Sequence, residues 1–223
     1  MISLEPVSVS EAARYMGVKG EPDDTVRKLI GQADETARKN IAPKYVYRVS
    51  STEPFGNGVR LAELGLILTG SDIKKHLSGC GKAVVFAATL SSQADKLIRQ
   101  AGVSDVADAL AMDCVCSALI EQVCDKAEEE IFREVKAAYR TWRFSPGYGD
   151  LPIDLQEDLL KALNAQRRIG LTVTAENIMM PSKSVTAVIG ISDIPVADKP
   201  HKCEVCNMRG KCSFSAGCQK EQI

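Results

Sequence analysis

Long apolar runs, an excess of either charge, histidine and phosphate-binding glycine loops are all scarce or missing in this 223-residue chain. No apolar run approaches the roughly 18 residues that a membrane helix needs. The start, Met1 to Val7, has neither a cationic stretch nor an apolar segment of the secretory kind. A soluble, cytoplasmic protein is the expectation. The formal net charge is −1, with no basic stripe, which argues against nucleic acid as the main partner and leaves no membrane partner either. Only two histidines occur, His76 and His201. A hydrolytic triad would therefore have to rely on His76 alone, and a surface position on a helix is expected for it.

Two glycine-rich segments fail as nucleotide-phosphate loops. G-N-G-V-R-L at Gly56 lacks the third glycine of a dinucleotide fingerprint and precedes a strand instead of following one, so a Rossmann-type methyltransferase is disfavoured. G-C-G-K-A at Gly79 puts Ala83 where a phosphate loop needs serine or threonine. The run Glu128-Glu129-Glu130 reads as a solvated helix face. No internal repeat or low-complexity segment is visible.

What is present is an ordinary globular balance, 45% hydrophobic and 26% charged, in a chain long enough to bury a core without staples. Periodicity predicts a short helix from Ser8 to Met16. A clearer one runs from Asp23 to Asn40, with Asp23 or Asp24 as cap and Val26, Leu29, Ile30, Ala33 and Ala37 on one face. Strands are expected at Tyr45 to Ser50 and within Val59 to Thr69. Ser71 caps a short helix to Leu77, Ala83 to Leu90 is a fully apolar strand, and Gln93 to Ala101 is a helix. Ser104 then opens a long helix reaching to about Tyr139, apolar nearly all round in its middle, which marks it as central and buried. Asp154 with Glu157 makes a capping-box-like start to a helix whose stripe is Leu155, Leu159, Leu160 and Leu163, ending at Gly170. Two strands follow, Leu171 to Ile178 and Ser184 to Ile191, joined by a short proline-containing connection that suits antiparallel pairing. The expected class is α+β, a mostly antiparallel sheet packed with helices around a long central helix. Residues 1–192 form this domain, and 193–223 a linker and cysteine-rich tail.

Between the long helix and the next lies Arg143 to Pro152, R-F-S-P-G-Y-G-D-L-P. Arg140, Trp142 and Arg143 are expected at the end of the preceding helix. Pro146 fixes its own φ, while Gly147 and Gly149 permit a left-handed backbone, so main-chain groups can turn toward a ligand. Arg143 supplies a planar cationic fork for a carboxylate or phosphate, and Tyr148 a ring face and a hydroxyl. These residues suit a small anionic or zwitterionic ligand with a flat part.

The same run resembles the R-x-x-x-G-Y motif of the activation domain of vitamin B12-dependent methionine synthase, here Arg143, Gly147 and Tyr148. Similarity extends to A-V-V-F-A-A-T-L from Ala83, to Asp95-Lys96-Leu97-Ile98, and to the segment from Leu171 through Met180-Pro181 to Ser184-Val185. The resemblance implies a domain that binds S-adenosylmethionine and presents its methyl group to cobalamin carried by a partner, a methionine synthase or related corrinoid protein. One electron plus that methyl restores methylcobalamin from the inactive Co(II) state. The electron would come from a flavodoxin- or ferredoxin-like donor. The ligand residues implied are Arg143 on the methionyl carboxylate, main-chain groups at Ser145, Pro146 and Gly147 on adenine, and Tyr148 beside the sulfonium or the corrin edge. Such a module is a component of a methyltransferase in methionine biosynthesis, not a complete enzyme. The family's large enzymes carry a tyrosine pair after the Pro-x-x-Ser-Val strand, whereas this chain has no tyrosine after Tyr148. That absence defines an alternative: a non-catalytic metal-binding redox or interaction protein that keeps the fold without binding S-adenosylmethionine.

The eight cysteines fall into two groups. Cys80, Cys114, Cys116 and Cys124 read as small buried hydrophobes. Cys203, Cys206, Cys212 and Cys218 are spaced C-x2-C-x5-C-x5-C in a segment too poor in apolar residues to fold by burial. Four thiolates at that spacing suit zinc or an iron–sulfur cluster, with His201 as a possible substitute ligand.

Overall fold

The computed structural model describes residues 2–196, and the cysteine tail lies outside the described residues. Seven α-helices and eight strands are described: α1 Val9–Tyr15, α2 Asp24–Asn40, β1 Lys44–Phe55, β2 Gly58–Leu61, β3 Leu66–Thr69, α3 Ser71–His76, β4 Lys82–Thr89, α4 Ser92–Ser104, α5 Val106–Val135, β5 Tyr139–Arg140, α6 Leu155–Leu163, α7 Ala165–Ile169, β6 Thr172–Val173, β7 Met179–Met180 and β8 Ser184–Ser192. The main sheet runs β3-β2-β1-β4-β8-β5, antiparallel throughout, and β6 and β7 form a separate small hairpin.

The fully apolar β4 is explained by burial on both faces. Val84, Phe86 and Ala88 point into one core with α1, α2, α4 and α5, while Ala83, Val85 and Ala87 point into another with α3, α6 and α7. Helix α5 is the long central helix, 30 residues with buried positions along its length. The expected class, α+β with an antiparallel sheet, is the observed one.

Several boundaries differ for local reasons. Asp105, not Ser104, caps α5, its side chain accepting from Ala107 N–H at 2.7 Å. Lys136 in the left-handed region ends α5 before Tyr139, so Arg140, Trp142 and Arg143 follow the helix instead of closing it. Asn164, also left-handed, breaks the expected 155–170 helix into α6 and α7. Asp154 makes no side-chain cap. The segment expected to be one strand from Leu171 yields only the short β6, which turns back on β7, whereas β8 pairs with β4 and β5. No helix among the described residues is long and apolar enough to cross a membrane.

Candidate functional site

The R-x-x-x-G-Y segment lies as a strap along the outer edge of β8. Tyr139 and Arg140 pair with Ser192 and Ile191. Thr141 N–H donates to Gly190 O at 3.1 Å, and Phe144 and Val188 exchange both main-chain bonds at 3.0 and 2.8 Å. Because the strap continues the sheet, successive side chains alternate between its faces. Phe144 packs into the α3/α6 core, and Arg143 turns the other way, onto α5.

Arg143 is 12% exposed and fully engaged. Nη2 meets Glu121 at 3.1 Å, while Nη1 meets Asp125 at 2.8 Å and Glu128 at 2.9 Å. Arg140 joins Glu128 at 3.1 Å. Glu128 is therefore an interior ion-pair partner and not the solvated residue expected. One stripe of α5 continues upward: Ser117 and Asp113 receive Lys183 at 2.9 and 2.8 Å. The turn carrying Lys183 is fastened by Asp95 of α4, which accepts from Ser182 N–H at 3.2 Å and from its hydroxyl. Ser184 is buried and bonds Thr89 and the Pro181 carbonyl, a structural role.

Beyond Phe144 the chain turns. Tyr148 N–H donates to Ser145 O at 3.0 Å, Gly147 N–H to Leu151 O at 2.9 Å, and Leu151 N–H to Tyr148 O at 3.0 Å. Gly147 has φ of 87°, a conformation that glycine adopts freely. Pro146 is buried beneath the turn. Tyr148 is 56% exposed, its ring edge-on to Phe144 with centroids 6.0 Å apart. The structure thus brings Ser145, Pro146, Gly147 and Tyr148 together at one turn, and sets Arg143 on the opposite face of the strap.

Two residues to which the sequence assigned no part in the site hold this turn and the strap. Asp150 accepts from Ser71 N–H at 2.6 Å, Ser71 Oγ at 2.8 Å and Asp72 N–H at 3.0 Å. Those α3 donors hold its carboxyl below the usual range, the Asp72 main-chain bond first among them. His76, expected at a surface, is only 7% exposed: Nε2 lies 2.8 Å from Thr141 Oγ1, and its ring sits between Trp142 and Phe144. Burial pushes its pKa down to about 4, so it is neutral at pH 7. The α5 carboxylates were also missed, although Asp113, Ser117, Glu121, Asp125 and Glu128 recur at helical spacing in the sequence.

Cys80, Cys114, Cys116 and Cys124 are free and buried, as expected. Burial raises the Cys114 and Cys116 thiols to about 11 and about 12, which keeps them protonated and inert. Among the described residues no cluster of histidine, cysteine and carboxylate side chains is suited to a metal ion.

Comparison with known proteins bears on the fold and the family. No curated protein matches the chain. Among solved structures, a crystal structure of the MetH reactivation domain bound to AdoHcy superposes with a TM-score of 0.62 at 15% identity, covering 88% of this chain and 83% of that one. That likeness establishes a shared fold. The family model for the activation domain of vitamin B12-dependent methionine synthase matches residues 82–193, from β4 through the strap to β8. The chain belongs to the family of vitamin B12-dependent methionine synthase activation domains.

Proposed function

We propose that the strap and the facing stripe of α5 bind S-adenosylmethionine. On this reading the protein is a reactivation module, supporting reductive remethylation of cob(II)alamin on a cobalamin-dependent methionine synthase or related corrinoid methyltransferase. The observation that carries the reading is the Arg143-to-Tyr148 motif, which falls inside the matched family segment and forms a turn at the sheet edge with Tyr148 half in solvent. The AdoHcy bound to the fold neighbour supports the ligand class.

Arg143 takes the methionyl carboxylate by exchange, because its guanidinium is already paired. Asp125 is the partner to leave, since its side chain is 67% exposed while Glu128 is largely covered. Glu121 then faces the ligand's ammonium. The ligand spans the sheet edge: its methionyl end meets Arg143 on the α5 side, Tyr148 lies beside the sulfonium, and main-chain groups at Ser145, Pro146 and Gly147 meet the adenine beyond the edge. The bound ligand would supply the methyl group, and a flavodoxin- or ferredoxin-like donor one electron, to a cobalamin held by the partner, with S-adenosylhomocysteine as the other product. The cysteines at 203, 206, 212 and 218 hold zinc or an iron–sulfur cluster. Absorption near 400 nm bleached by dithionite in anaerobically purified protein identifies the cluster, and a colourless protein with one zinc identifies the metal.

The exchange makes an unusual demand on the mutants. Arg143→Lys keeps the charge but loses the fork and weakens binding by about tenfold or more. Asp125→Asn removes a competitor and tightens it. Calorimetric titration measures both, and unchanged affinity in the pair removes Arg143 from the site. Saturating ligand at about 100 times its dissociation constant adds about 2.7 kcal/mol of stability. No thermal shift at millimolar S-adenosylmethionine favours the alternative, a metal-binding redox or interaction protein that has lost the ligand.

A further inference from the structure

Helix α3 touches the strap at both of its ends. It has six residues, too few to persist without tertiary support. At its first turn the free N–H groups of Ser71 and Asp72, with the Ser71 hydroxyl, converge on the Asp150 carboxylate. The approach is close enough that a Cβ at Gly70 would collide with Asp150, and one at Gly149 with the Asp72 carboxylate. At its last residue His76 bonds Thr141 at 2.8 Å and stacks edge-on against Trp142 with centroids 4.5 Å apart. Thr141 in turn accepts from Gly190 N–H of β8 at 2.7 Å. Ile73 between the ends, and Leu77 just after them, lie in the same core cluster as Phe144 and Leu151. The two polar fasteners therefore bracket the R-x-x-x-G-Y motif, one before Arg143 and one after Tyr148.

We infer that α3 is a splint for the motif, with Asp150 and His76 as positioning residues that hold the turn in its ligand-binding shape. The inference rests on the reading that this turn binds S-adenosylmethionine. Neither residue touches the ligand. Asp150 turns away from Tyr148 into α3, and His76 lies beneath the strap. Their effect is to keep residues 144–151 from sampling other turns, so that the ordering cost is met before binding.

The test compares Asp150→Asn and His76→Gln with Ile30→Val, a buried change on α2. Each is titrated with S-adenosylmethionine, and amide exchange is followed at Gly147, Tyr148 and Leu151, whose N–H groups close the turn. Trp142, the single tryptophan, reports the strap by its emission. Expected are about tenfold weaker binding for Asp150→Asn, the equivalent of one charge-assisted hydrogen bond, and faster exchange at the three amides. His76→Gln should alter Trp142 emission and weaken binding in the same direction. Ile30→Val should lower thermal stability and leave affinity unchanged. If Asp150→Asn does not fold, Ser71→Ala removes one of the three contacts and should show the same trend on a smaller scale. Wild-type affinity or wild-type exchange in the Asp150 variant overturns the splint alone. A wild-type protein that fails to bind S-adenosylmethionine overturns the functional reading itself.

Discussion

The two faces of the central sheet are held by different forces. Against one lies α5, 30 residues long, with Val115, Leu119, Val123 and Ile131 buried on Phe86 and Ile189. Against the other lie α3, α6 and α7, of six, nine and five residues. These short helices also bury leucines, but side-chain hydrogen bonds fasten them: Asp150 and His76 for α3, and Gln156 to Thr186 at 2.6 Å for α6. The α5 face is a scaffold that apolar burial holds wherever its polar groups sit. The opposite face depends on individual polar contacts, and the 145–148 turn, one end of the proposed site, is fastened to it.

The comparison is broken first by truncating the scaffold. Phe86→Ala empties a fully buried position between β1, α5 and β8 and should destabilise the whole domain by about 3–5 kcal/mol, read from denaturant unfolding. A loss under about 1 kcal/mol would show that the α5 face does not carry the fold.

Acid separates the faces next. His76 has a folded pKa of about 4 against 6.5 unfolded, through burial. The unfolded chain therefore binds more protons between those values. Stability is complete above about pH 6.5 and falls as pH drops toward 4, by about 3 kcal/mol in all. His76→Gln should flatten that window while Cys116→Ala on the α5 face leaves it intact. Equal acid sensitivity in wild type and His76→Gln would place the titration elsewhere.

Much of the scaffold was legible in the sequence, and less of the strap. The apolar run Ala83–Leu90 and the all-round apolar middle of α5 are signals of burial on every side, and both elements sit where that predicts. The motif itself was legible as a local cluster of arginine, proline, glycine and tyrosine. What was hidden was its environment. That Arg143 would meet Glu121, Asp125 and Glu128, and that Asp150 would cap a helix some eighty positions earlier, depends on tertiary contact that no local pattern encodes. His76 shows the same limit. A polar residue at the end of a short helix reads as exposed until a later strap covers it. Asn164 and Lys136 stopped helices from left-handed conformations without the glycine that usually marks such a stop.

A smaller effect sharpens the contrast at the helix starts. Asp105 caps α5, and Asp105→Ala should cost about 1 kcal/mol, lost by fraying of the first turn while the buried middle of the helix persists. Amide exchange confined to residues 106–109 supports this, and exchange spreading to Leu119 contradicts it.

The smallest effect belongs to the surface of α6. Glu157, expected to serve a capping box, instead meets Lys161 one turn on at 2.7 Å, with the two side chains 59% and 65% exposed. Such exposed i,i+4 pairs contribute only a marginal amount and are screened by salt. Lys161→Ala should therefore lower stability by no more than that at low ionic strength and leave it unchanged in 1 M salt. If polar fastening of this face resides in the contacts of Asp150, His76 and Gln156, the surface pair adds nothing to the turn. Amide exchange at Gly147 and Tyr148 then stays at the wild-type rate in Lys161→Ala, and a faster rate there would extend the fastening of the turn to the outside of α6.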